Sequence, residues 1–219
     1  MSLQHDDHDV GTPGASARRE YERRRANHEA RTRDKHPHIG GLMLALKDEP
    51  SNLKAWATGA DGEEAVAASL TRRCNRRVVL LHDRRIPRSR ANIDHIAITP
   101  AGVWVIDAKR YTGKAEIRRP LVGKAKLMIG GRDKTVLVEG LARQVELVRN
   151  VMPELAVSGV RGVLCFVKTE LPLFGTLEFD GYPLLYPKGL AKRLNASGLL
   201  SERAVAELAS KIATQFPSA

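Results

Sequence analysis

Residues 92–109, NIDHIAITPAGVWVIDAK, limit what this chain can fold into more than any other stretch. Two β-type runs, Asn92 to Ile98 and Val103 to Lys109, flank Thr99, Pro100, Ala101 and Gly102, where Pro and Gly mark a turn. A four-residue connection closing an antiparallel hairpin sets Ile98 opposite Val103, Ile96 opposite Val105 and Asp94 opposite Asp107. Side chains so opposed have Cβ atoms roughly 5 Å apart, and like charges there destabilise. Lys109 falls on the same face about 7 Å further along. The other face pairs Ile93 with Ala108, His95 with Ile106 and Ala97 with Trp104. Both faces are mostly apolar, which predicts a buried sheet. Two carboxylates in such a place must share a proton, take a cation or pair with Lys109, and a divalent metal is the simplest resolution.

The rest of the chain predicts helices on both sides of that hairpin. Ser51 is expected to cap a helix running toward Cys74, with Trp56, Gly59, Glu63, Val66 and Leu70 on one stripe, so Glu63 interrupts a buried face. Asp61 and Glu64 read as a capping box if the helix restarts there. A strand is expected at Arg77 to His82, a short one near Lys114 to Arg118, and loop or ragged hairpin over 120–135. A second amphipathic helix spans about Val136 to Met152, with Leu137, Leu141, Gln144, Val148 and Val151 on one stripe. Gln144 is its polar exception, either a structural hydrogen bond or a site contact. Gly162 to Lys168 reads as a central strand, 182–186 as another, and 188–195 and 201–215 as helices. Helix, three strands, helix and strand in that order predict an α/β fold with a mixed central sheet flanked by helices.

Residues 1–16 are polar and rich in Gly, Pro, Asp and His, and disorder is expected there. His5, Asp6, Asp7, His8 and Asp9 resemble metal ligands, but a flexible tail cannot hold their geometry. Residues 17–38 form a basic arm, with a charged helix over 17–35 that carries Arg18, Arg19, Arg23, Arg24, Arg25, Arg31, Arg33 and Lys35. It reads either as a solvated arm or as a phosphate-binding one. The main folded domain is expected over 39–219. With 36 Lys plus Arg against 25 Asp plus Glu, the net charge of +11 points to a polyanion, nucleic acid first, or serves only solubility. Lys124, Lys126, Arg132 and Lys134 either line a DNA path or are ordinary loop charge. Cys74 and Cys165 read as small buried residues of a reducing compartment. The opening MSLQHDDHDVGTPG is no signal peptide and no run reaches the ~18 apolar residues of a membrane span, so a cytoplasmic location and no membrane partner are expected.

With the helix from Ser51 set beside the hairpin, Glu63 approaches Asp94, Asp107 and Lys109. Three carboxylates suit one or two Mg²⁺ or Mn²⁺ ions, which in phosphodiester hydrolysis bind the phosphate and activate water. Lys109 then orients that water and offsets charge on the phosphorus. GADGE (59–63), NIDHIAITPAGVWVIDAKRYTGK (92–114) and the helix bearing Gln144 together resemble the nuclease-related domain family of the PD-(D/E)XK nuclease superfamily, over roughly 40–170. That resemblance implies an αβββαβ core and divalent-metal-dependent cleavage of DNA, duplex or single-stranded. It also implies active-site roles for Glu63, Asp94, Asp107 and Lys109, with Gln144 as accessory. Many members carry Glu where this chain has Asp107, a shorter acid that bears on metal preference and rate. His95, beside Asp94 but expected on the other face, reads as a packed core histidine. Two other readings stay open: a nucleic-acid-binding module that keeps the fold without turnover, and a scaffold in which Asp94, Asp107 and Lys109 are only a buried salt-bridge cluster.

Overall fold

Strands β2 (Asn92–Thr99) and β3 (Gly102–Lys109) form the expected hairpin, with Ile98 opposite Val103, Ile96 opposite Val105 and Ala97 opposite Trp104. Its turn is pinned by Thr99, whose Oγ1 donates to the Gly102 carbonyl at 2.9 Å and accepts from the Ala101 amide at 3.1 Å. Gly102 has φ 118°, and a Cβ there would lie 2.5 Å from the Gly159 carbonyl oxygen, so no other residue fits. The computed structural model describes residues 9–46, 48–153 and 159–219.

The hairpin is part of a six-stranded mixed sheet. Strand β1 (Val79–Arg85) pairs antiparallel with β2, and β7 (Val160–Phe166) pairs parallel with β3. Beyond β7 come β9 (Tyr182–Leu185), parallel to it, and β8 (Leu177–Phe179), antiparallel to β9, giving the order β1-β2-β3-β7-β9-β8. A second sheet of β4 (Ala115–Arg118), β5 (Lys126–Ile129) and β6 (Arg132–Asp133) lies between β3 and β7 in sequence.

Helices cover both faces because both faces of β3 and β7 are apolar. On one face Ile96, Ile98, Val103, Val105 and Leu164 pack with Leu141, Val145 and Val148 of α4 (Thr135–Val151) and with Val205 and Ile212 of α6 (Glu202–Gln215). On the other, Ala97, Trp104, Ile106 and Val163 meet Val66 and Leu70 of α3 (Ser51–Arg73) and Leu190 and Leu194 of α5 (Pro187–Leu194). Each fully buried side chain of this size contributes about 1.5–3 kcal/mol. The fold is therefore α/β, a mixed sheet between helices, as the order of elements predicts.

Several local expectations change. Helix α3 begins at Ser51 but has Pro50 at its N-cap and no side-chain cap. Trp56, on the same side of α3 as Glu63, is 37% exposed because that end of the stripe opens into a cleft, and α3 buries a second face as well. That face takes α1 (Ala15–Lys35), which packs along α3 through Gly14 against Ala60 and through Arg18, paired with Asp61 at 3.3 Å and Glu64 at 2.5 Å. Asp61 and Glu64 thus sit mid-helix and bind α1 rather than forming a cap. A short helix α2 (Gly40–Leu46) and strand β8 go unpredicted. Of the stretch expected to be disordered, 1–8 lies outside the described residues, and with it His5, Asp6, Asp7 and His8. Residues 9–14 are instead tied to β1: the His82 amide donates to Val10 O and the Arg84 Nη1 to Asp9 O, each at 2.7 Å. Arg84 is fully buried, and its Nε donates to Phe216 O at 2.7 Å, satisfying a carbonyl at the C-terminus of α6. Both cysteines are free; Cys165 is buried as expected, while Cys74 is only half-buried. No helix among the described residues is long and apolar enough to cross a membrane.

Candidate active site

The site lies where the hairpin stops being regular. The β2–β3 ladder ends at His95 opposite Ile106, and beyond it the Asp94 carboxylate, not a backbone carbonyl, accepts the Ala108 amide at 2.8 Å. Side-chain alternation slips at the same place. Ile93, expected opposite Ala108, packs instead with Ile96 and Ile98, while Ala108 packs with Ala97 and Ile106. A side chain substituting for a ladder acceptor releases β2 from β3, and this release changes which face its residues meet.

Lys109 sits between the two aspartates. Its Nζ is 2.6 Å from Asp107 Oδ1 and 3.7 Å from Asp94 Oδ2, and it also donates to the Ala108 carbonyl at 3.1 Å. The Asp94 and Asp107 side chains are 16% and 9% exposed and that of Lys109 is 21% exposed, so water screens the cluster weakly. Glu63, on α3, lines the same cleft as Asp94, and Gly62 beside it packs close to the end of β3: a Cβ on Gly62 would lie 3.1 Å from Arg110 Cβ.

The charges do not balance. Glu63 is pushed well above the ordinary carboxylate range by burial and then by the charges of Asp94 and Asp83, with Lys109 opposing. Asp94 is raised by burial, with Lys109 opposing and Asp107 adding to the rise. Burial alone would lower the Lys109 ammonium, but Asp107 and Asp94 outweigh it and its pKa is raised. Three acids and one ammonium leave an excess of negative charge that only protons or an added cation can relieve. The oxygen donors are those a hard divalent ion takes. No group of three His, Cys, Asp or Glu among the described residues is drawn together closely enough to hold a metal as it stands. The donor set fits in type and charge, and closure around an ion requires side-chain movement.

Gln144 comes to the edge of this centre from α4. Its Nε2 donates to the Asn92 carbonyl at 3.4 Å, and its Oε1 is buried with no partner. Sequence reasoning passes over Asp83, 1% exposed with φ 48°, which accepts from the Ser16 amide and hydroxyl at 2.6 Å each and from Asn92 Nδ2 at 3.0 Å. The signal for it is HDRR, a polar run that ends an otherwise apolar strand. His95 is fully buried, as expected of a core histidine, with its Nδ1 2.9 Å from Nδ1 of His82. Burial holds both rings below the usual histidine range, so they stay neutral.

The predicted basic residues divide into groups. Arg23 and Arg24 pair with Glu20 and line a cleft of about 760 Å³ that also has Glu63 and Asp94 in its wall. Arg25 pairs with Glu29 and lines a separate cleft with His28 and Met43. Lys134 stacks its ammonium 4.7 Å from the centre of the Tyr111 ring, which follows Lys109 by two positions. Lys126 is paired with Asp133 at 3.1 Å, and Lys124 and Arg132 are exposed on the small sheet and its loop, in neither cleft.

The model of one family, the nuclease-related domain, matches residues 58–167. The chain belongs to that family. The match takes in Glu63, Asp94, Asp107, Lys109 and Gln144 and leaves out α1 and Trp56. Comparisons with curated proteins and with solved structures gave no match. A nuclease-related function follows for this nuclease-related domain chain.

Proposed function

We propose that this nuclease-related domain protein is a divalent-metal-dependent nuclease that hydrolyses DNA phosphodiester bonds. The observation that carries the reading is the unbalanced centre, where Asp94 and Asp107 share the one ammonium of Lys109 and Glu63 adds a third acid in the wall of the same cleft. Glu63, Asp94 and Asp107 would hold Mg²⁺ or Mn²⁺. Such an ion, when bound, supplies Lewis acidity to the phosphate and lowers the pKa of the attacking water.

The chain's own residues do the rest. Asp94 is fixed by the Ala108 amide, so its free oxygen is aimed by the backbone. Lys109, held charged by its two acids, presents N–H donors to a phosphate oxygen and offsets the charge that develops there. Gln144, whose Nε2 donates to the Asn92 carbonyl beside Asp94, would position that end of β2. The basic surface draws the polyanion in.

The second reading is a binding module without turnover, favoured by one observation: among the described residues, no three acids are preassembled for a metal. Incubating linear and circular DNA with purified protein and Mn²⁺ or Mg²⁺, beside Asp107→Ala, separates the two. Metal-dependent cleavage lost in the variant supports the nuclease. DNA retention with no cleavage by either protein supports the binding module.

A further inference from the structure

The cleft beside the acidic centre is built by a part of the chain that lies outside the family match. Helix α1 lies along α3 and walls the side on which Glu63 and Asp94 open, turning a bare acidic edge into a channel. The channel rim carries Arg19, Arg23 and Arg24 from α1, and Arg85 and Arg90 from the end of β1 and its connection to β2; all five are exposed. Among the described residues, Arg19, Arg85 and Arg90 form no ion pair with an acid, so their charge is free for phosphates. On the channel's α3 wall stands Trp56, whose ring is exposed and has the Arg24 guanidinium 5.1 Å from its centre.

Trp56 and Glu63 are seven residues apart on one helix, hence on the same side and about 11 Å apart, the rise of roughly three stacked nucleotides. An aromatic face beside a cationic groove is the arrangement that binds unpaired strands, because every base offers a π-face and a duplex has none free along its length. We infer that this cleft is a single-strand channel, in which α1 arginines hold the backbone and Trp56 stacks a base a few nucleotides from the acidic centre. The substrate class is then unpaired DNA, or the frayed end of a duplex. This rests on the nuclease reading only for what happens at Glu63 and Asp94; the binding itself does not need it.

The test uses the full chain with Trp104→Phe, so that Trp56 is its sole tryptophan. A labelled single strand and the blunt duplex made from it are titrated in chelator, where no cleavage occurs, with anisotropy and tryptophan emission read together. The expected result is tighter binding of the single strand by at least about tenfold and quenching of Trp56. Trp56→Ala should weaken single-strand binding roughly five- to hundredfold and leave the duplex unchanged, while Trp56→Phe restores most of the loss. Thermal melts of each variant exclude unfolding. Equal affinity for both substrates, or single-strand binding that survives Trp56→Ala, overturns the channel whether or not the protein cleaves DNA. Quenching and selectivity without Mn²⁺-dependent cleavage would keep the channel and overturn the nuclease.

Discussion

The two ends of one hairpin differ in what satisfies their polar groups. At the turn end, Thr99 to Val103, the ladder is complete and the flanking side chains are apolar and fully buried. At the open end the ladder has stopped, the Asp94 carboxylate serves as a backbone acceptor, and Asp107 and Lys109 share its surroundings. The same two strands therefore supply rigidity at one end and uncompensated charge at the other. A reactive centre needs both, since groups of unfavourable protonation state persist only where a packed frame holds them.

That contrast can be broken from either end. The largest effect is expected at the open end: Asp107→Ala should lower metal-dependent cleavage by roughly 10²–10³-fold on gel assay, with little loss of melting temperature. Unchanged cleavage would remove Asp107 from the chemistry. At the turn end, Ile98→Ala should cost about 2–5 kcal/mol in urea unfolding because Ile98 is fully buried, yet leave Mn²⁺ affinity of the folded protein as it was. A matching loss of metal affinity would show the two ends to be one unit.

The next effect is in pH. Glu63 and Asp94 have folded-state pKa values above their unfolded ones, so the folded chain keeps protons that the unfolded chain releases. Metal-free stability must then fall as pH rises above the ordinary carboxylate range, by about 1.4 kcal/mol for every tenfold by which folding strengthens proton binding. Thermal melts across pH in chelator should show this decline, flattened in Glu63→Gln and reversed by Mn²⁺. Parallel curves for the two proteins would dismiss the excess charge. The smallest effect is at the turn: Thr99→Val removes two hydrogen bonds and should cost about 0.5–1.5 kcal/mol each, read by chemical denaturation.

The hairpin register could be read from the sequence because it depends on local counting: a four-residue turn, a period of two, and apolar residues on both faces. The helices α3 and α4 were readable for the same reason, from apolar spacing along one element. What could not be read depends on contacts distant in sequence. The slip at Asp94 needs the Ala108 amide, fourteen residues away across the sheet. Trp56 falls on the apolar stripe by spacing alone because nothing in α3 tells which of its faces α1 will cover. Asp83 gains two of its three hydrogen bonds only once Ser16 arrives from α1.

By itself the sequence determined that Asp94, Asp107 and Lys109 would stand at the open end of one hairpin, since the turn and the period of two place that end, although the ladder stops one pair short of Asp94. It also determined that α3 and α4 would be helices, and that the chain would carry a large positive charge. Tertiary structure alone decided that the excess charge would fall at Glu63 and Asp94, that Lys109 would bridge both aspartates, and that α1 would wall the site. The reason is physical: periodicity and turn chemistry act within an element, whereas burial, pKa and cleft shape depend on which faces come to enclose one another.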